Sequence, residues 1–247
     1  MTYNFTISPD FGNKQMAGWF VFNNWLQHAL DGQVHCEMYD DFNSQRAACS
    51  DGKVDLIYAS PYDAATLVRE QGFVPVVRPL GKADEALIAV PASSDYQQIE
   101  DFKPGLSIAT TDDPEVHMMG MIMIEPADLS ADNVTVQTCD SFVLVAKQLL
   151  RGTADAGFFL AESYHDLSAT VREGMRVIVQ SDIEVIHHLF LAAPALADKV
   201  GVIQESLVSM SASPKGEMLL EDIGLKGWEP LEQEQVEFMI DLMDTLV

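Results

Sequence analysis

Basic residues are scarce in this sequence, and their scarcity excludes whole classes of partner. Fourteen lysines and arginines stand against 38 aspartates and glutamates, which gives a formal net charge of −24. A field of this sign repels nucleic-acid phosphates and anionic membrane surfaces. We therefore expect neither nucleic acid nor an anionic membrane surface among the partners.

Long hydrophobic runs are also missing. The apolar runs at 118–124 and 189–193 are far shorter than the roughly 20 residues of a membrane-spanning helix, so we expect no membrane insertion. Near Met1 the sequence shows no basic-then-apolar leader with a small-residue cleavage site. The predicted location is periplasmic if a leader has been removed, and cytoplasmic otherwise.

Cysteine is rare as well. Cys36, Cys49 and Cys139 lie far apart, and none is in CxxC spacing, so we expect no structural zinc site. No other metal and no cofactor is predicted either. The favoured interpretation is that all three are buried thiols that behave as small hydrophobic groups. One disulfide with a leftover thiol stays open as an alternative if the protein is exported.

The sequence does contain a repeated alternation of short β-like runs with amphipathic helical runs. This rhythm predicts an α/β protein whose two lobes are mostly parallel sheets flanked by helices. Lobe one is predicted to hold residues 1–86 and 187–247, and lobe two residues 87–186. The chain then crosses between the lobes twice, near 85–91 and 183–191, which is a natural hinge.

The individual elements follow from the same alternation. Predicted strands cover 3–9, 34–39, 54–60, 73–79, 87–90, 106–111, 134–138, 155–159, 175–181 and 185–193. Predicted helices cover 15–30, 43–50, 62–71, 115–124, 141–150, 162–172, 196–210, 216–221 and 233–246.

Two loops of lobe one carry candidate ligand-binding residues. In such folds, ligands bind at the carboxyl ends of the strands. Asp10 and Phe11 lie in the first strand-to-helix loop, and Tyr58, Ser60 and Tyr62 lie at the third. Aromatic rings there can hold a small ligand while their hydroxyls donate hydrogen bonds to it. The alternatives are a simple turn for the first loop and packing in the lobe-one core for the two tyrosines.

The segment TTDDPEVHMMGMIMIEP, residues 110–126, predicts a capped helix in lobe two. Asp113 is the predicted N-cap, Pro114 the first helical residue and Glu115 an acidic residue of the first turn. His117 with Met118, Met119, Met121 and Met123 could also resemble soft ligands for Cu(I). On a helix Met118 and Met119 diverge, and only the pairs 119/123 and 118/121 share a face. The prediction is therefore a flexible apolar face with no metal.

Two further places hold candidate polar groups. Glu162 follows a predicted strand and opens a helix, so it is a candidate ligand contact or a first-turn residue that stabilises the helix dipole. His187 and His188 fall in a predicted strand, so their side chains should point to opposite faces and cannot bind one metal together.

Four stretches, 51–79, 99–124, 149–167 and 213–243, together resemble solute-binding proteins of phosphate, phosphite and phosphonate ABC transporters. This resemblance implies a two-lobed Venus-flytrap fold of the second periplasmic-binding class, without catalytic residues, that closes on a small molecule. It also implies a transporter permease as partner, and we expect a monomer. In the family, the loop that matches 109–117 holds a phosphonate group with small hydroxyl residues and a helix N-terminus.

The loop departs from that family pattern in its charge. Thr110, Thr111 and His117 could still donate hydrogen bonds, but Asp112, Asp113 and Glu115 occupy the positive helix end that an anion would need. At 4 Å, two like charges cost about 4 kcal/mol at an effective dielectric constant of 20. We therefore predict a neutral, zwitterionic or cationic ligand and not an ordinary phosphonate. The predicted ligand-binding residues are Asp10, Phe11, Tyr58, Ser60, Tyr62, Thr110, Thr111, His117 and Glu162.

Two other classes of function stay open. The same scaffold is similar to that of some cytoplasmic enzymes, although the sequence contains no GxSxG, HExxH or glycine-rich phosphate loop. A ligand-sensing protein that passes closure on to a partner would use the same cleft residues.

Overall fold

A computed structural model describes residues 2–9 and 13–245 of the chain. The chain divides into two compact units. Unit 1 contains the described residues of Met1–Ala83 and Val185–Met243, and unit 2 contains Asp84–Glu184 with the described part of Asp244–Val247. The chain therefore passes between the units at 83–84, at 184–185 and again at 243–244.

Strands and helices alternate along most of the chain. The strands are β1 (Thr2–Ile7), β2 (Gln33–Cys36), β3 (Leu56–Ala59), β4 (Val74–Pro79), β5 (Ala86–Pro91), β6 (Ser107–Thr110), β7 (Thr135–Thr138), β8 (Ala156–Leu160), β9 (Met175–Gln180), β10 (Leu189–Ala192) and β11 (Trp228–Pro230). The α-helices are α1 (Asn13–Leu30), α2 (Phe42–Ser50), α3 (Pro61–Ala65), α4 (Pro114–Ile124), α5 (Phe142–Leu150), α6 (Ala161–Asp166), α7 (Ala169–Glu173), α8 (Val200–Val208), α9 (Pro214–Asp222) and α10 (Gln233–Thr245).

The unit 1 sheet has the strand order β11-β4-β10-β3-β1-β2. Strand β1 pairs in parallel with β2 and β3, and β10 is antiparallel to both β3 and β4. Strands β1, β2, β3 and β4 therefore run in the same direction, and their carboxyl ends lie along one edge of the sheet. We call this the unit 1 carboxyl edge.

Aromatic rings fill the core on the side of this sheet that α1 covers. Trp19 and Phe22 of α1 are fully buried, and their ring centroids are 5.2 Å apart. Phe5 lies 5.8 Å from Phe22, and Tyr58 lies 4.9 Å from Trp19. Burial of each large apolar side chain stabilises the fold by about 1.5–3 kcal/mol, so this cluster fixes the position of β3.

The unit 2 sheet has the strand order β7-β6-β8-β5-β9. Strand β6 is parallel to β7 and β8, whereas β5 is antiparallel to β8 and β9. The carboxyl ends of β6, β7 and β8 form the unit 2 carboxyl edge. Phe158 and Phe159 of β8 belong to separate buried clusters, as the alternation of side chains along a strand requires.

The predicted α/β class is confirmed, and both sheets are mixed. In each of them the predicted parallel strands are present, and a strand next to a passage between the units, β5 or β10, runs antiparallel to its neighbours.

Several predicted elements end or break at other places. The predicted helix 62–71 is α3 followed by a π-helix at Thr66–Glu70. The predicted helix 162–172 is two helices, because Ser168 starts α7 by accepting a hydrogen bond from the Val171 amide at 3.4 Å. The predicted helix 196–210 is α-helical only in α8, with 3-10 turns on either side.

The predicted strand 185–193 was too long, because β10 begins only at Leu189. His187 and His188 precede the strand and are both buried, and the backbone oxygen of His188 lies 3.0 Å from Nδ1 of His187. The prediction that their side chains alternate across a strand was therefore wrong.

Candidate functional site

Two buried serines lie at the unit 1 carboxyl edge. Ser8 follows β1 and Ser60 follows β3. Ser60 is the N-cap of α3, since its Oγ accepts a hydrogen bond from the Asp63 amide at 3.2 Å, and Pro61 takes the first helical position. The Oγ of Ser8 is buried and has no hydrogen-bond partner within residues 2–9 and 13–245.

Tyr58, near the end of β3, belongs to the core. Its ring is fully buried between Trp19, His188 and Trp228, with centroid distances of 4.9, 5.4 and 5.5 Å. Next to it, Nε1 of Trp228 is buried and has no hydrogen-bond partner in the described part of the chain. The core packing of Tyr58 is thus observed, and a contact of its hydroxyl with ligand stays a prediction.

Tyr62 is not brought together with Tyr58. It is 48% exposed, and its ring lies 5.4 Å from the guanidinium carbon of Arg46 on α2. It therefore faces the groove between α2 and α3, whereas Tyr58 packs on the side that α1 covers.

Sequence reasoning did not single out Arg78, which lies at the end of β4. With His187 and Phe238, Arg78 lines a cavity of about 290 Å³ at the unit 1 carboxyl edge. The Nε of Arg78 is 3.0 Å from Glu229, its neighbour on β11. One arginine at the end of the otherwise apolar stretch FVPVVRP was the signal that could have revealed it.

Two predicted threonines lie together at the unit 2 carboxyl edge. Thr110 ends β6 and Thr111 follows it, and both are buried. Thr111 Oγ1 accepts a hydrogen bond from the Asp113 amide at 3.4 Å. Oγ1 of Thr110 is buried and has no hydrogen-bond partner among the residues that the structure describes.

The start of α4 has the predicted cap. Oδ1 of Asp113 accepts a hydrogen bond from the Val116 amide at 3.0 Å, and the backbone oxygen of Asp113 accepts one from the His117 amide at 3.1 Å. Pro114 has no N–H to donate. The His117 bond is the ordinary first hydrogen bond of the helix. Of the first-turn amides that an anion would need, the Val116 amide is already used.

The remaining candidates of unit 2 differ in exposure. Glu115 is buried. In contrast, His117 and Glu162, in the first turns of α4 and α6, are exposed. Thr110, Thr111 and Glu115 are thus grouped at the start of α4. Asp10 and Phe11 lie outside the described residues.

The methionine-rich face of α4 packs against the sheet. Met119 is buried, and Met121 and Met123 pack against the cluster that contains Phe158. Gly120 permits this close approach, because a Cβ there would come within 2.2 Å of the Phe158 ring. The predicted apolar face is thus observed for these side chains, and its flexibility stays a prediction.

Glu85 is a second residue that sequence reasoning missed. Its carboxylate accepts hydrogen bonds from the Ile183 and Glu184 amides, each at 2.8 Å, and from the Ser181 hydroxyl. It therefore ties together the two segments of unit 2 at which the chain enters and leaves.

The described residues also bear on metals, thiols and membranes. Within residues 2–9 and 13–245, no group of three His, Cys, Asp or Glu residues could hold a metal ion. The same part of the chain contains no helix with the length and hydropathy of a membrane span. Cys36, Cys49 and Cys139 are buried free thiols.

Two α/β units joined by repeated passages of the chain, with buried hydroxyls at the carboxyl ends of their strands, define a solute-binding protein of the two-lobed class. The family model for the periplasmic substrate-binding protein of phosphonate ABC transporters matches residues 5–236. The chain belongs to this family, which confirms the resemblance found in the sequence. No curated protein matches the sequence.

Solved structures share the fold at low sequence identity. PhnD1 from Prochlorococcus marinus in complex with methylphosphonate superposes with a TM-score of 0.84 at 11% identity, covering 99% of this chain and 98% of its own. XAC2383 from Xanthomonas citri bound to ATP has a TM-score of 0.78 at 13% identity, with coverage of 99% and 96%. The aliphatic sulphonate binding protein SsuA from Escherichia coli has a TM-score of 0.71 at 16% identity, with coverage of 99% and 86%.

Proposed function

We propose that this solute-binding protein serves an ABC transporter for a small neutral, zwitterionic or cationic molecule. We further propose that it acts as a monomer in the periplasm and delivers its ligand to a membrane permease. Membership in the family supports the transport role. The ligand class rests on the chemistry of the two carboxyl edges.

The observation that carries this proposal is a set of buried polar atoms at these edges. Ser8 Oγ and Trp228 Nε1 in unit 1, and Thr110 Oγ1 in unit 2, have no hydrogen-bond partner within the described residues. An unsatisfied buried polar group costs about 1–3 kcal/mol, so such groups call for an explanation. A ligand with matching donors and acceptors would remove this cost.

Charge around the Thr110 hydroxyl favours a ligand without a doubly negative group. Asp113 and Glu115 follow within five residues and are buried. A dianionic oxyanion at this edge would add negative charge beside two carboxyl groups, at about 4 kcal/mol per pair of charges 4 Å apart. Unit 2 has 18 acidic and five basic residues between 84 and 184, and none of the five lies in β6 or α4.

Unit 1 has an arginine, Arg78, at its carboxyl edge, and a nearby carboxylate offsets most of its positive charge. Arg78 lines the cavity at its carboxyl edge, but Glu229 lies 3.0 Å from its Nε. The guanidinium of such an ion pair can still donate a hydrogen bond to a carboxylate or carbonyl oxygen of a ligand, although the pair as a whole has little net charge. A zwitterion therefore fits the described groups better than a dianion does.

A thermal-shift series tests the proposal. Glycine, ethanolamine, acetamide, methylphosphonate and phosphate would each be added to the purified protein. A ligand at 100 times its dissociation constant stabilises a protein by about 2.7 kcal/mol, which is a clear rise in melting temperature. We expect a rise with a compound of the first three types. A rise with methylphosphonate or phosphate alone would overturn the proposed ligand class.

Thr110→Val identifies the site of whichever compound binds. The substitution keeps the shape of the side chain and removes the hydroxyl, so we expect weaker binding by about tenfold, the equivalent of 1.4 kcal/mol. Thr135→Val is the matched control. Thr135 is exposed at the amino end of β7, the strand next to β6, and so lies away from the carboxyl edge. Equal affinities of both variants and the parent protein would show that Thr110 does not contact the ligand.

A further inference from the structure

A second cavity lies in unit 1, on the side of the sheet opposite α1. It has a volume of about 220 Å³ and lies between α2 and the segment formed by α3 and the π-helix. Ile57 in the middle of β3 contributes to its wall, whereas the next residue, Tyr58, packs against α1 on the other side. The cavity is thus reached from a helical face of unit 1.

Arg46 of α2 is the main polar group of this cavity. Its Nε donates a hydrogen bond to Oδ1 of Asp63 at 2.5 Å. The guanidinium carbon lies 5.2 Å from the Phe42 ring centroid and 5.4 Å from that of Tyr62, within the range of cation–π contact with both rings. The Nη2 nitrogen is buried and has no hydrogen-bond partner within the described residues.

The cavity wall also contains an unusual backbone element. Thr66 and Leu67, which line the cavity, begin the π-helix, and the Gln71 amide donates to the Thr66 carbonyl oxygen at 3.1 Å. Single π turns are rare and occur frequently at functional sites. This element is a second observation, independent of Arg46, that points to a binding role for the same cavity.

Apart from Arg46 and its partner Asp63, which also lines the cavity, the wall is uncharged. Leu67 and Ile57 are apolar, and Cys49 is a buried thiol. Burial, together with the nearby negative charge of Asp63, raises the pKa of Cys49 to about 12, so the thiol stays neutral. The charge of Asp63 is offset by the Nε of Arg46, which leaves Nη2 to meet an added acceptor.

We propose that this cavity binds a small monocarboxylate with an apolar body. The carboxylate accepts a hydrogen bond from Arg46 Nη2, and the apolar body lies against Tyr62 and Leu67. Hydrogen bonds between a guanidinium and a carboxylate are stronger than neutral ones, which selects a carboxylate over an amide of the same shape.

Benzoate is a suitable probe, and two-dimensional NMR of the full chain localises its binding. We expect saturable shifts centred on Ile57, Thr66 and Leu67. Benzamide, which has the same shape without the charge, should bind at least about tenfold more weakly.

Two arginine-to-lysine substitutions, one at Arg46 and one as a control, test whether Nη2 of Arg46, and not its positive charge alone, binds the carboxylate. Arg46→Lys keeps a cation beside Asp63 but removes Nη2, so benzoate should bind at least about tenfold more weakly. Arg69→Lys is the matched control, because Arg69 pairs with Glu237 and does not line the cavity. If Arg46→Lys fails to fold, Thr66→Trp at an exposed position of the wall provides the same test by obstructing the cavity.

Three outcomes would overturn the proposal. The first is the absence of saturable shifts in the parent protein at tens of millimolar benzoate. The second is shifts centred on Ser8 or Thr110, which would assign benzoate to the carboxyl edges. The third is equal binding of benzoate by the parent protein and by Arg46→Lys or Thr66→Trp.

Discussion

Helices α3 and α4 both begin at the carboxyl edge of a sheet, with the same kind of N-terminal cap. They differ in the charge that surrounds the cap. Each has a side-chain N-cap followed by proline, Ser60–Pro61 in one and Asp113–Pro114 in the other. In α3 the buried acid of the first turn, Asp63, is paired with Arg46 at 2.5 Å.

In α4 the cap itself is acidic, and a second carboxyl group follows on the buried residue Glu115. The difference shows that one backbone device can place a hydroxyl cap at one strand end and an acidic cap at another. We propose that these first-turn side chains decide which ligand charge is accepted.

The largest effect is expected where α4 packs most closely on its sheet. In Gly120→Ala, the new Cβ would lie 2.2 Å from the Phe158 ring. We expect a loss of about 1–3 kcal/mol in the free energy of unfolding, because the helix or the ring must shift. Urea denaturation measures this change in the free energy of unfolding.

Gly201→Ala is the control for that substitution. Gly201 is also helical, in α8, and has no atom within 4 Å of the Cβ position. This variant should be unchanged or more stable by about 0.5–1 kcal/mol. An equal loss in both variants would show that the contact with Phe158 is not the cause.

Removal of the caps compares the two helix starts directly. Asp113→Ala and Ser60→Ala each remove the acceptor for a first-turn amide, so each should lower the free energy of unfolding by about 1 kcal/mol. Asp113→Asn keeps a capping oxygen and should stay within a few tenths of a kcal/mol of the parent protein. Calorimetric melting curves at neutral pH decide this, and equal losses in Asp113→Asn and Asp113→Ala would contradict the capping role.

The smallest effect concerns the thiols of unit 1. Burial raises the pKa of Cys36 to about 11 and that of Cys49 to about 12, above the ordinary value of 9.0. Their folded forms hold protons that the unfolded chain releases, so the stability they contribute is complete below pH 9 and is lost as pH rises toward 11 and 12.

Thermal denaturation between pH 8 and pH 10 measures this loss. We expect a small decline in melting temperature that Cys49→Ala makes shallower. A decline of the same slope in the parent and in Cys49→Ala would assign the effect to other groups.

A local signal in the sequence predicted the start of α4, because the Asp113–Pro114 pair fixes it through a hydrogen bond that spans only three residues. The equivalent Ser60–Pro61 pair starts α3 one residue before the predicted helix 62–71. The alternation of strands and helices similarly gave the α/β class, because burial on both faces of a strand depends on its own side chains.

Features that depend on packing between distant segments were not predictable in the same way. The late start of β10 at Leu189 is one of them, because it is set by the register of β10 against β3 and β4. The break before α7 has a local cause, the Ser168 cap, which the apolar patterning outweighed. Arg78 and His187 are 109 positions apart in sequence, and only the pairing of β4 with β10 brings them to one cavity. No pattern in the sequence alone specifies that pairing.

Calorimetric titration with methylphosphonate tests the central claim, that carboxyl groups at the start of α4 oppose a doubly charged ligand. The parent protein should bind methylphosphonate weakly or not at all, and the double variant Asp113→Asn, Glu115→Gln should gain at least about tenfold in affinity. Asp63→Asn in α3 should gain far less, because Arg46 already offsets that charge. Tight binding by the parent protein, with equal or weaker binding by the double variant, would contradict the account.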